Sequence, residues 1–298
     1  MTLTREQERG LKLAKEWWTH ERYERPFVIA GIAGSGKTYT STKIFEYLGI
    51  EEDRIGFMAY TGMAASVLVR KGIKATTIHK VIYDTFMDSS TGKFVFELKE
   101  KLDRDLKLLV IDEVSMVPGE MLAAIQEFGI PVLVLGDHAQ LKPVFSTNTN
   151  NLLDHPDIFL DQPMRQSLDN PILQLADDIR NGRPINYGRF GDNVNIIKSS
   201  DIDLNIYKDV DQVLMSYNKT VDNFNQFYRQ QVLGIDTNEN KLPTVGEKII
   251  CLKNNWHKEI KEDGVTQSLT NGLIGTLETQ SIRRKAIKGT GFIYKISF

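Results

Sequence analysis

Residues Gly31 to Thr38 read Gly-Ile-Ala-Gly-Ser-Gly-Lys-Thr, a complete GxxxxGK[ST] phosphate loop, and the apolar segment 26–30 directly precedes them. In such a loop the glycines let backbone N–H groups curl around phosphates, the lysine reaches the β- and γ-phosphate oxygens, and the threonine hydroxyl ligates Mg²⁺. The next segment, 40–47, is predicted to form a helix whose N-terminus adds to the anion site. The pattern therefore predicts a nucleoside triphosphate with Mg²⁺, bound by Gly31, Ala33, Gly34, Ser35, Gly36, Lys37 and Thr38, with Thr38 also a metal ligand.

The composition is that of an ordinary globular protein of 298 residues, 41% hydrophobic and 26% charged. This length accommodates two domains, or one domain with insertions. No run approaches the roughly 18 apolar residues of a membrane span, and segment 1–10 lacks the apolar core of a secretory signal. We therefore expect a cytoplasmic protein with no membrane partner. The formal net charge of -2 argues against a continuous basic surface, and Cys251, the single cysteine, excludes an intrachain disulfide.

Strand-like and helix-like segments alternate in the first half of the chain, which favours an α/β fold with helices on both faces of a parallel sheet. Each predicted strand is short and apolar and is followed by a turn or helix signal. In such a sheet, ligands bind beyond the carboxyl ends of the strands, which is where the polar motifs of this sequence fall. The predicted strands are Phe27–Ala30, Ile55–Tyr60, Leu106–Ile111 and Pro131–Leu135.

Residues 83–97 depart from the alternation of strands and helices, because they read as two short strands around a Ser-Ser-Thr-Gly turn. We interpret residues 81–104 as a small hairpin inserted into a first domain, residues 1–165. Helical spacing of apolar residues from Asn170 to Asn181 indicates that a second domain begins nearby. We divide the remainder into residues 166–245 and a β-rich segment, 246–298, and predict a helix at Thr220–Val232 and strands at Gln212–Tyr217, Lys248–Leu252, Leu273–Leu277 and Phe292–Phe298.

Two adjacent acids end another apolar strand, in the sequence Leu-Leu-Val-Ile-Asp-Glu-Val-Ser of residues 108–115. At a strand end downstream of a phosphate loop, such a pair is the expected second half of an ATPase site. Asp112 is predicted to hold Mg²⁺, directly or through water, and Glu113 to polarise the attacking water. An alternative stays open, in which Glu113 caps the following segment, since acids favour the first turns of helices.

A further predicted strand runs into Gly-Asp-His-Ala-Gln, residues 136–140. The Gln140 amide can donate to a γ-phosphate and change partners once that phosphate leaves, so we predict that it senses hydrolysis. The same residues read alternatively as a simple turn. Their position at the ligand-binding edge of a parallel sheet favours the sensor.

Together these segments resemble the motifs of superfamily 1 DNA helicases, in the RecD/Dda-like branch that moves 5′→3′. This resemblance implies an α/β fold: a RecA-like P-loop NTPase sheet with an inserted small β-hairpin, followed by a partial second RecA-like domain with a β-rich insertion. It also implies ATP as the nucleotide, single-stranded or forked DNA as a partner, and ATP-driven unwinding of duplex DNA. The similar stretches are Gly31–Thr38, Thr61–Ala65, Thr76–His79, Asp112–Ser115, Gly136–Val144, Leu160–Gln166 and Asn271–Gly275, so they span nearly the whole chain.

The resemblance implies roles for two further residues near the nucleotide. Gln7 matches the helicase Q motif, which contacts adenine, but Thr4-x-x-Gln7 also reads as a helix capping box. Arg165 matches an arginine that reaches the γ-phosphate, where a guanidinium stabilises charge in the transition state. A surface salt bridge is the alternative for Arg165. The catalytic set implied by motif and resemblance is Lys37, Glu113, Gln140 and Arg165.

DNA contacts are implied for polar and aromatic residues of the same motifs and of the hairpin. His79 has an alternative as a satisfied buried histidine. The hairpin phenylalanines Phe86, Phe94 and Phe96 have two possible roles. They either stack on bases or wedge at a duplex fork, or they fix the hairpin to its own domain, and alternation along a strand allows each face only one of these roles. The residues concerned are Thr61, Thr77, His79, Phe94, Phe96 and Asn271.

Two C-terminal motifs of the family, V and VI, are not found after Gln140. The sequence is therefore expected to be a fragment of a longer helicase or a naturally shortened relative. Because motif VI supplies a second γ-phosphate arginine, and such an arginine is worth roughly 10³–10⁵ in rate, we expect ATP–Mg²⁺ binding with weak hydrolysis and little unwinding.

Two other functional classes stay open beside the motor. One is a non-motor ATP- and DNA-binding regulatory module, and the other is a small-molecule P-loop kinase. The aligned motifs favour the motor. We expect a monomer in the cytoplasm of a bacterial cell, encoded by the bacterium or by a phage, with replication or recombination proteins as further partners.

Overall fold

A computed structural model of the chain describes residues 3–88, 90, 94–141, 151–162, 170–239, 242–252, 255–262, 265–269, 271–278, 282–286, 289–293 and 296–297. The chain divides into two compact units, each of which includes separate stretches of sequence. The first unit consists of Met1–Leu168, Leu252–Ile260 and Val265–Leu273, and the second consists of Asp169–Cys251, Lys261–Gly264 and Ile274–Phe298.

Helices and strands alternate along the first unit. Its helices are α1 (Arg5–His20), α2 (Lys37–Leu48), α3 (Gly62–Arg70), α4 (Ile78–Ile82) and α5 (Gly119–Gln126). Its strands are β1 (Phe27–Gly31), β2 (Ile55–Ala59), β3 (Ala75–Thr77), β4 (Tyr83–Met87), β5 (Phe94–Leu98), β6 (Leu108–Asp112), β7 (Val132–Gly136) and β8 (Ile158–Leu160).

Six of these strands form one parallel sheet in the order β3-β2-β6-β7-β1-β8. The α/β class and the four strands predicted for this sheet are confirmed, with strand ends shifted by one or two residues. Within the sheet, Ile29 of β1 lies beside Leu135 of β7, and Val110 of β6 lies beside Leu133. β4 and β5 pair only with each other, as the predicted hairpin.

Alternate residues of the central strands enter two separate cores, one on each face of the sheet. Phe27 and Ile29 pack with Trp17 of α1 and Phe45 of α2 on one face. Val28 and Ala30 enter the opposite core, which also contains residues of α4 and α5. Because burying one Val, Leu, Ile or Phe side chain contributes about 1.5–3 kcal/mol, these two layers are the main source of stability in the first unit.

A buried carboxylate fixes the edge of the sheet next to the phosphate loop. Asp157, at the start of β8, accepts hydrogen bonds from the Val28 N–H (2.8 Å) and from Arg25 (3.0 Å) through Oδ2. Its side chain is 13% exposed, whereas that of Arg25 is 44% exposed. The hydrogen bond from Arg25 to Asp157 is the main reason why the pKa of this arginine is raised. Asp157 therefore joins β1, β8 and the segment between α1 and β1.

In the described part of the second unit, the paired strands are antiparallel. Its helices are α6 (Pro171–Arg180), α7 (Ile206–Asp209) and α8 (Asn218–Phe227), and a π-helical turn, Tyr228–Val232, follows α8. The remaining strands of the chain are β9 (Gly188–Phe190), β10 (Val194–Ile196), β11 (Lys248–Ile250), β12 (Asn255–Glu262), β13 (Val265–Leu269), β14 (Ile274–Leu277), β15 (Ile282–Ala286), β16 (Gly289–Ile293) and β17 (Ile296–Ser297). β12 pairs with β13, and both belong largely to the first unit.

The predicted helix at 170–181 is confirmed as α6, whose N-cap side chain, Asn170, accepts from the Ile172 N–H. The predicted strand at Gln212–Tyr217 is wrong, because these residues form no strand. Leu214 and Tyr217, which suggested a strand, are 87% and 75% exposed and therefore lack the packing that would hold one in place. The helix predicted to begin at Thr220 begins two residues earlier and ends in the π-helical turn. Within the described residues, no helix has both the length and the apolar character required to cross a membrane.

We predict that Asp157→Ala destabilises the protein by about 2 kcal/mol, because it leaves the buried Val28 N–H without its acceptor. The matched control is Glu21→Ala, which removes the other, more exposed partner of Arg25 and should cost less than about 1 kcal/mol. Urea denaturation followed by circular dichroism measures both values. Equal losses for the two variants would show that Asp157 does not join the strands.

Candidate functional site

The predicted phosphate loop connects β1 to α2. Gly34 (φ +76°) and Gly36 (φ +85°) adopt left-handed conformations, which residues with a side chain rarely do. Gly31 lies so close to β8 that a Cβ there would be 2.5 Å from the carbonyl oxygen of Leu160. No side chain caps the N-terminus of α2 within the described residues, as expected of a helix end that binds an anion. The backbone itself therefore requires the glycines of the motif.

The Lys37 side chain folds back across this loop. Its Nζ donates to the carbonyl oxygens of Gly31 (2.8 Å) and Ile32 (2.9 Å). The hydroxyl of Ser35, which is buried, also donates to the Ile32 carbonyl. Thr38 is half-buried in the first turn of α2, and Ala33 is exposed. The ammonium group is therefore held over the loop, within the reach of an anion bound there.

The acid pair lies at the end of β6, two strands away from β1 in the sheet, with Asp112 as the last residue of the strand and Glu113 directly after it. Glu113 has φ +55° and ψ +47° and is the only non-glycine among the described residues with a positive φ. Its N–H donates to Asp112 Oδ1 at 3.0 Å, but its carboxylate makes no capping hydrogen bond to the 3₁₀ helix Val114–Met116 that follows. The alternative that Glu113 caps this segment is therefore wrong. Strained backbone of this kind costs about 1–3 kcal/mol and is concentrated at functional sites.

Electrostatics connect this acid pair to the phosphate loop. Burial raises the pKa of Asp112, and the Glu113 N–H and the charge of Lys37 act in the opposite direction. Burial and then the Asp112 charge raise the pKa of Glu113, while Lys37 lowers it. Two carboxylates that are half-buried side by side fit a divalent cation, because a cation relieves both the desolvation and the mutual repulsion. The predicted Mg²⁺ ligands, Thr38 and Asp112, thus fit the metal chemically.

Gln140 lies in an exposed turn directly after β7. The buried Asp137 shapes this turn, since its carboxylate accepts from the Ala139 N–H (3.0 Å) and its carbonyl accepts from the Gln140 N–H (3.0 Å). The side chain of Gln140 thus emerges at the same edge of the sheet as the phosphate loop. Arg165 lies outside the described residues.

Gln7 is buried at the start of α1, close to the phosphate loop in the fold. Its Oε1 accepts from the Thr4 N–H (2.9 Å), and its N–H donates to the Thr4 hydroxyl (3.2 Å), so the capping box is present. Its Nε2, however, has no hydrogen-bond partner among the described residues. A shallow surface depression beside this helix start is lined by Thr4, Glu6 and Ser35 together with residues 160–162. The capping box and the adenine contact are therefore compatible, because they use different atoms of Gln7.

Two predicted DNA-contacting threonines are helix caps. The Thr61 hydroxyl accepts from the Ala64 N–H (3.1 Å) at the start of α3, and the Thr77 hydroxyl accepts from the Lys80 N–H (3.4 Å) at the start of α4. Thr77 is 5% exposed, so its side chain has little surface to offer. Thr61 is only half-buried and lies at the ligand-binding edge.

His79 lies at the centre of an aromatic cluster, which consists of His79, Tyr60, Tyr83 and Phe96. The centroid of its ring is 6.1 Å from that of Tyr60, 5.8 Å from Tyr83 and 5.7 Å from Phe96. These three rings come from the end of β2, the start of β4 and the middle of β5. Burial lowers the pKa of the imidazole below its ordinary value near 6.5. His79 is thus a half-buried residue that touches the hairpin.

The other residues predicted to contact DNA are Phe94, Phe96 and Asn271. Phe96 is 49% exposed although it belongs to the aromatic cluster. The backbone of Phe94 begins β5, while its side chain is outside the described part of the chain. Asn271 is exposed in a turn before β14.

Sequence reasoning missed the cluster partners Tyr60 and Tyr83. Both lie at element boundaries, one directly before Thr61 and the other at the first residue of the hairpin. The signal in the sequence that could have identified them is that aromatic residues lie close to the motifs that contain Thr61 and His79. Pairing of distant segments, which brings these rings together, is not visible in local patterns.

Comparison with known proteins shows what this chain is similar to. A family model described as an AAA domain matches residues 11–200. The RecD2 DNA helicase of Deinococcus radiodurans is 33% identical over 174 residues, which are 55% of this chain and 23% of that protein. The Pif1 DNA helicase of a Psychrobacter species is 33% identical over 140 residues, 41% of this chain and 20% of that protein. The matched segments therefore represent less than a quarter of either relative.

Among solved structures, the Pif1 helicase from Candida albicans has a TM-score of 0.50 and 17% sequence identity. The match covers 99% of this chain and 76% of that chain. At this identity the similarity concerns the fold alone, and it agrees with the RecA-like sheet described above.

The lowered pKa of His79 predicts how stability depends on pH. Below pH 6.5 the unfolded chain binds a proton that the buried imidazole resists, so the free energy of unfolding should fall as pH decreases from 6.5 towards the lowered pKa. His79→Phe removes this contribution and keeps a ring in the cluster. Urea unfolding of both proteins between about pH 7.5 and about pH 5 measures the difference in their free energies of unfolding, because this range brackets the ordinary pKa of histidine. Parallel pH profiles would contradict the buried, neutral imidazole.

Proposed function

We propose that this chain, which belongs to the AAA domain family and to its superfamily 1 RecD/Pif1-like branch, carries the ATPase motor of a DNA helicase. The observation that carries this proposal is the convergence of three motifs at one edge of the parallel sheet. The phosphate loop, the acid pair and the Gln140 turn follow β1, β6 and β7, which are neighbours in the sheet. A site of this design binds a nucleoside triphosphate where adjacent strands end.

In this proposal the backbone of residues 31–38 and the end of α2 bind the phosphates of ATP, and Lys37 moves its ammonium group from the loop carbonyls to phosphate oxygens. Gln7 contributes its unpartnered amide N–H to the adenine. Thr38 and Asp112 would hold Mg²⁺, which neutralises phosphate charge when it is bound. The raised pKa of Asp112 supports this role, because the buried carboxylate gains most from a nearby cation.

Hydrolysis requires a base and groups that respond to the γ-phosphate. We assign the base to Glu113, whose raised pKa brings it closer to the range in which a carboxylate accepts a proton effectively. Its backbone is left-handed, and its carboxylate makes no capping hydrogen bond to the 3₁₀ helix that follows. Gln140 is the proposed γ-phosphate sensor, and Arg165 is the proposed arginine that stabilises transition-state charge.

The proposed DNA track lies at the same edge of the sheet, with Thr61, Thr77, His79, Asn271 and the hairpin as contacts. Support comes from the names of the relatives, which are DNA helicases, and from the exposed aromatic surface of the hairpin. We assign residues 1–165 to the ATPase domain, with the hairpin at 81–104. Movement 5′→3′, weak activity of this chain alone, a monomeric state, a cytoplasmic location, and replication or recombination partners remain predictions.

We predict that Lys37→Ala abolishes ATP binding without unfolding the protein, because it removes the charge that reaches the β- and γ-phosphates. Titration with a fluorescent ATP analogue measures the affinity, and thermal melting checks the fold. The matched control is Lys43→Ala on the same helix, whose ammonium pairs with Glu46 at the surface. If both variants bind ATP as the wild type does, the nucleotide lies elsewhere.

We predict that Glu113→Gln keeps ATP binding and lowers hydrolysis stimulated by single-stranded DNA by roughly 10²–10⁴-fold, the usual contribution of a general base. Phosphate release measures the rate, with Glu51→Gln as a surface control. Normal hydrolysis by Glu113→Gln would assign the base to another residue. Hydrolysis that single-stranded DNA does not stimulate would favour the kinase or the regulatory module over the motor.

A further inference from the structure

A cavity of about 400 Å³ lies in the first unit between α2, the first half of β2 and the link between α3 and β3. We call it the α2–β2 cavity. Sites for small molecules have volumes of about 300–1,000 Å³ and mostly apolar walls with a few polar groups. Among the described residues, its lining includes none from the phosphate loop, the acid pair or the hairpin. The cavity is therefore a second candidate site, separate from the nucleotide edge.

The two helices beside the cavity end in the same hydrogen-bonded motif. Gly49 after α2 and Gly72 after α3 adopt left-handed conformations, with φ +68° and +84°. The next residue in each case, Ile50 or Ile73, donates its N–H to the carbonyl oxygen five residues earlier, at 3.1 Å in both helices. This motif fixes the chain where a helix ends and favours an apolar residue at the position of these isoleucines. Because both isoleucines line the cavity, local sequence holds its walls in place before any ligand binds.

The interior of the cavity is apolar and partly aromatic. Phe45 of α2 and Phe57 of β2 line it, with ring centroids 5.6 Å apart and ring planes at 74°. Ile55, at the start of β2, also lines the cavity, and all three residues are buried. Aromatic and aliphatic walls of this kind favour a flat apolar group, which gains both buried area and ring contacts.

The rim of the cavity is charged and mainly acidic. Glu46 and Glu52 line it and are exposed, and Lys74 is the one cation in the lining. Lys43 pairs with Glu46 at 2.6 Å, whereas Glu52 belongs to the exposed acidic run 51–53 and has no ion pair among the described residues. Carboxylates at the rim repel phosphate groups and attract an ammonium group. The rim therefore disfavours nucleic acid and nucleotides as ligands.

We propose that the α2–β2 cavity binds a small organic cation in which a flat apolar group, such as an aromatic ring, carries an ammonium group. The ring occupies the apolar interior beside Phe45 and Phe57, and the ammonium group lies at the rim, where Glu52 attracts it. The inference goes beyond the proposed helicase function and does not depend on it.

The first test uses three probes that share one ring and differ in charge: tryptamine, indole and indole-3-propionate. Isothermal titration calorimetry measures their affinities. Tryptamine should bind about 2- to 10-fold more tightly than indole, as expected for one or two exposed ion pairs, and indole-3-propionate should bind most weakly. The preference for tryptamine should shrink between about 50 and 500 mM salt, because salt screens exposed charges. Equal affinities for the three probes, or no binding of any of them, would overturn the proposal.

The second test locates the probe through the methyl groups of the isoleucines. Tryptamine should shift the NMR signals of Ile50, Ile55 and Ile73, which line the cavity. It should leave Ile125, in the core on the opposite face of the sheet, unchanged. Saturating ATP with Mg²⁺ should not displace tryptamine. Displacement by ATP, or shifts confined to other isoleucines, would place the probe elsewhere and contradict the assignment.

A third test fills the cavity with a larger side chain. Thr42 is half-buried and lines the cavity, and its hydroxyl donates to the Tyr39 carbonyl of its own helix at 2.7 Å. Thr42→Phe therefore breaks no contact between elements, and it should weaken binding of all three probes by at least about tenfold, because it takes the space of the buried ring. Tyr47→Ala changes an exposed aromatic residue of the same helix and should keep the wild-type affinities. Unchanged binding by a folded Thr42→Phe variant would overturn the site.

The charged rim is tested with exposed residues, whose substitution leaves the packing intact. Glu52→Gln should lower the preference for tryptamine over indole, and Lys74→Gln should raise it, while the affinity for indole stays unchanged in both variants. The same preference in both variants and the wild type would contradict the role of the rim. A Lys-Trp-Lys peptide that exceeded tryptamine in affinity by more than the about 2- to 10-fold due to charge would assign the cavity to a segment of a protein partner and overturn the small-molecule site.

Discussion

Parallel pairing of three buried strands is the constraint on which the candidate site depends. β6, β7 and β1 lie side by side, and most of their residues are buried in the cores on the two faces of the sheet. A charged group within these strands would have no water and no hydrogen-bond partner, which is strongly unfavourable. Lys37, Glu113 and Gln140 therefore come after the strands end, and Asp112 is the last residue of β6. Parallel direction then brings those ends to one edge, so residues far apart in sequence share one electrostatic environment.

The same apolar surroundings also influence the pKa values of Asp112 and Glu113. Burial raises the pKa of Asp112 and of Glu113, while Lys37 opposes both shifts. Each carboxylate is costly there without a cation, and the backbone of Glu113 is held in a left-handed conformation. The sheet tolerates this local loss of stability because the two hydrophobic cores on its faces are extensive. In the second unit, by contrast, Leu277 is the only apolar side chain in the described part that is fully buried, so the rigid support of the site comes from the first unit.

Local patterns were sufficient to predict the sheet, the phosphate loop and the acid pair, because each depends on a short apolar run followed by particular polar residues. Contacts between distant segments were not predictable in this way. Asp157 binds Arg25 across 132 residues, and the aromatic cluster combines residues of three elements. Alternation along β4 and β5 indicated two faces, but only packing against α4 shows which one faces inward. The predicted strand at 212–217 failed because an apolar pattern without a packing partner does not make a strand.

A helicase motor depends on coupling between bound nucleotide and bound DNA. It is tested most directly by measuring the affinity for oligo(dT) with and without a saturating non-hydrolysable ATP analogue and Mg²⁺. A motor requires that the analogue change DNA affinity by about 5- to 150-fold, and linkage requires that oligo(dT) change the affinity for the analogue by the same factor. DNA affinity that is identical in the presence and absence of the bound analogue would contradict the proposed motor function.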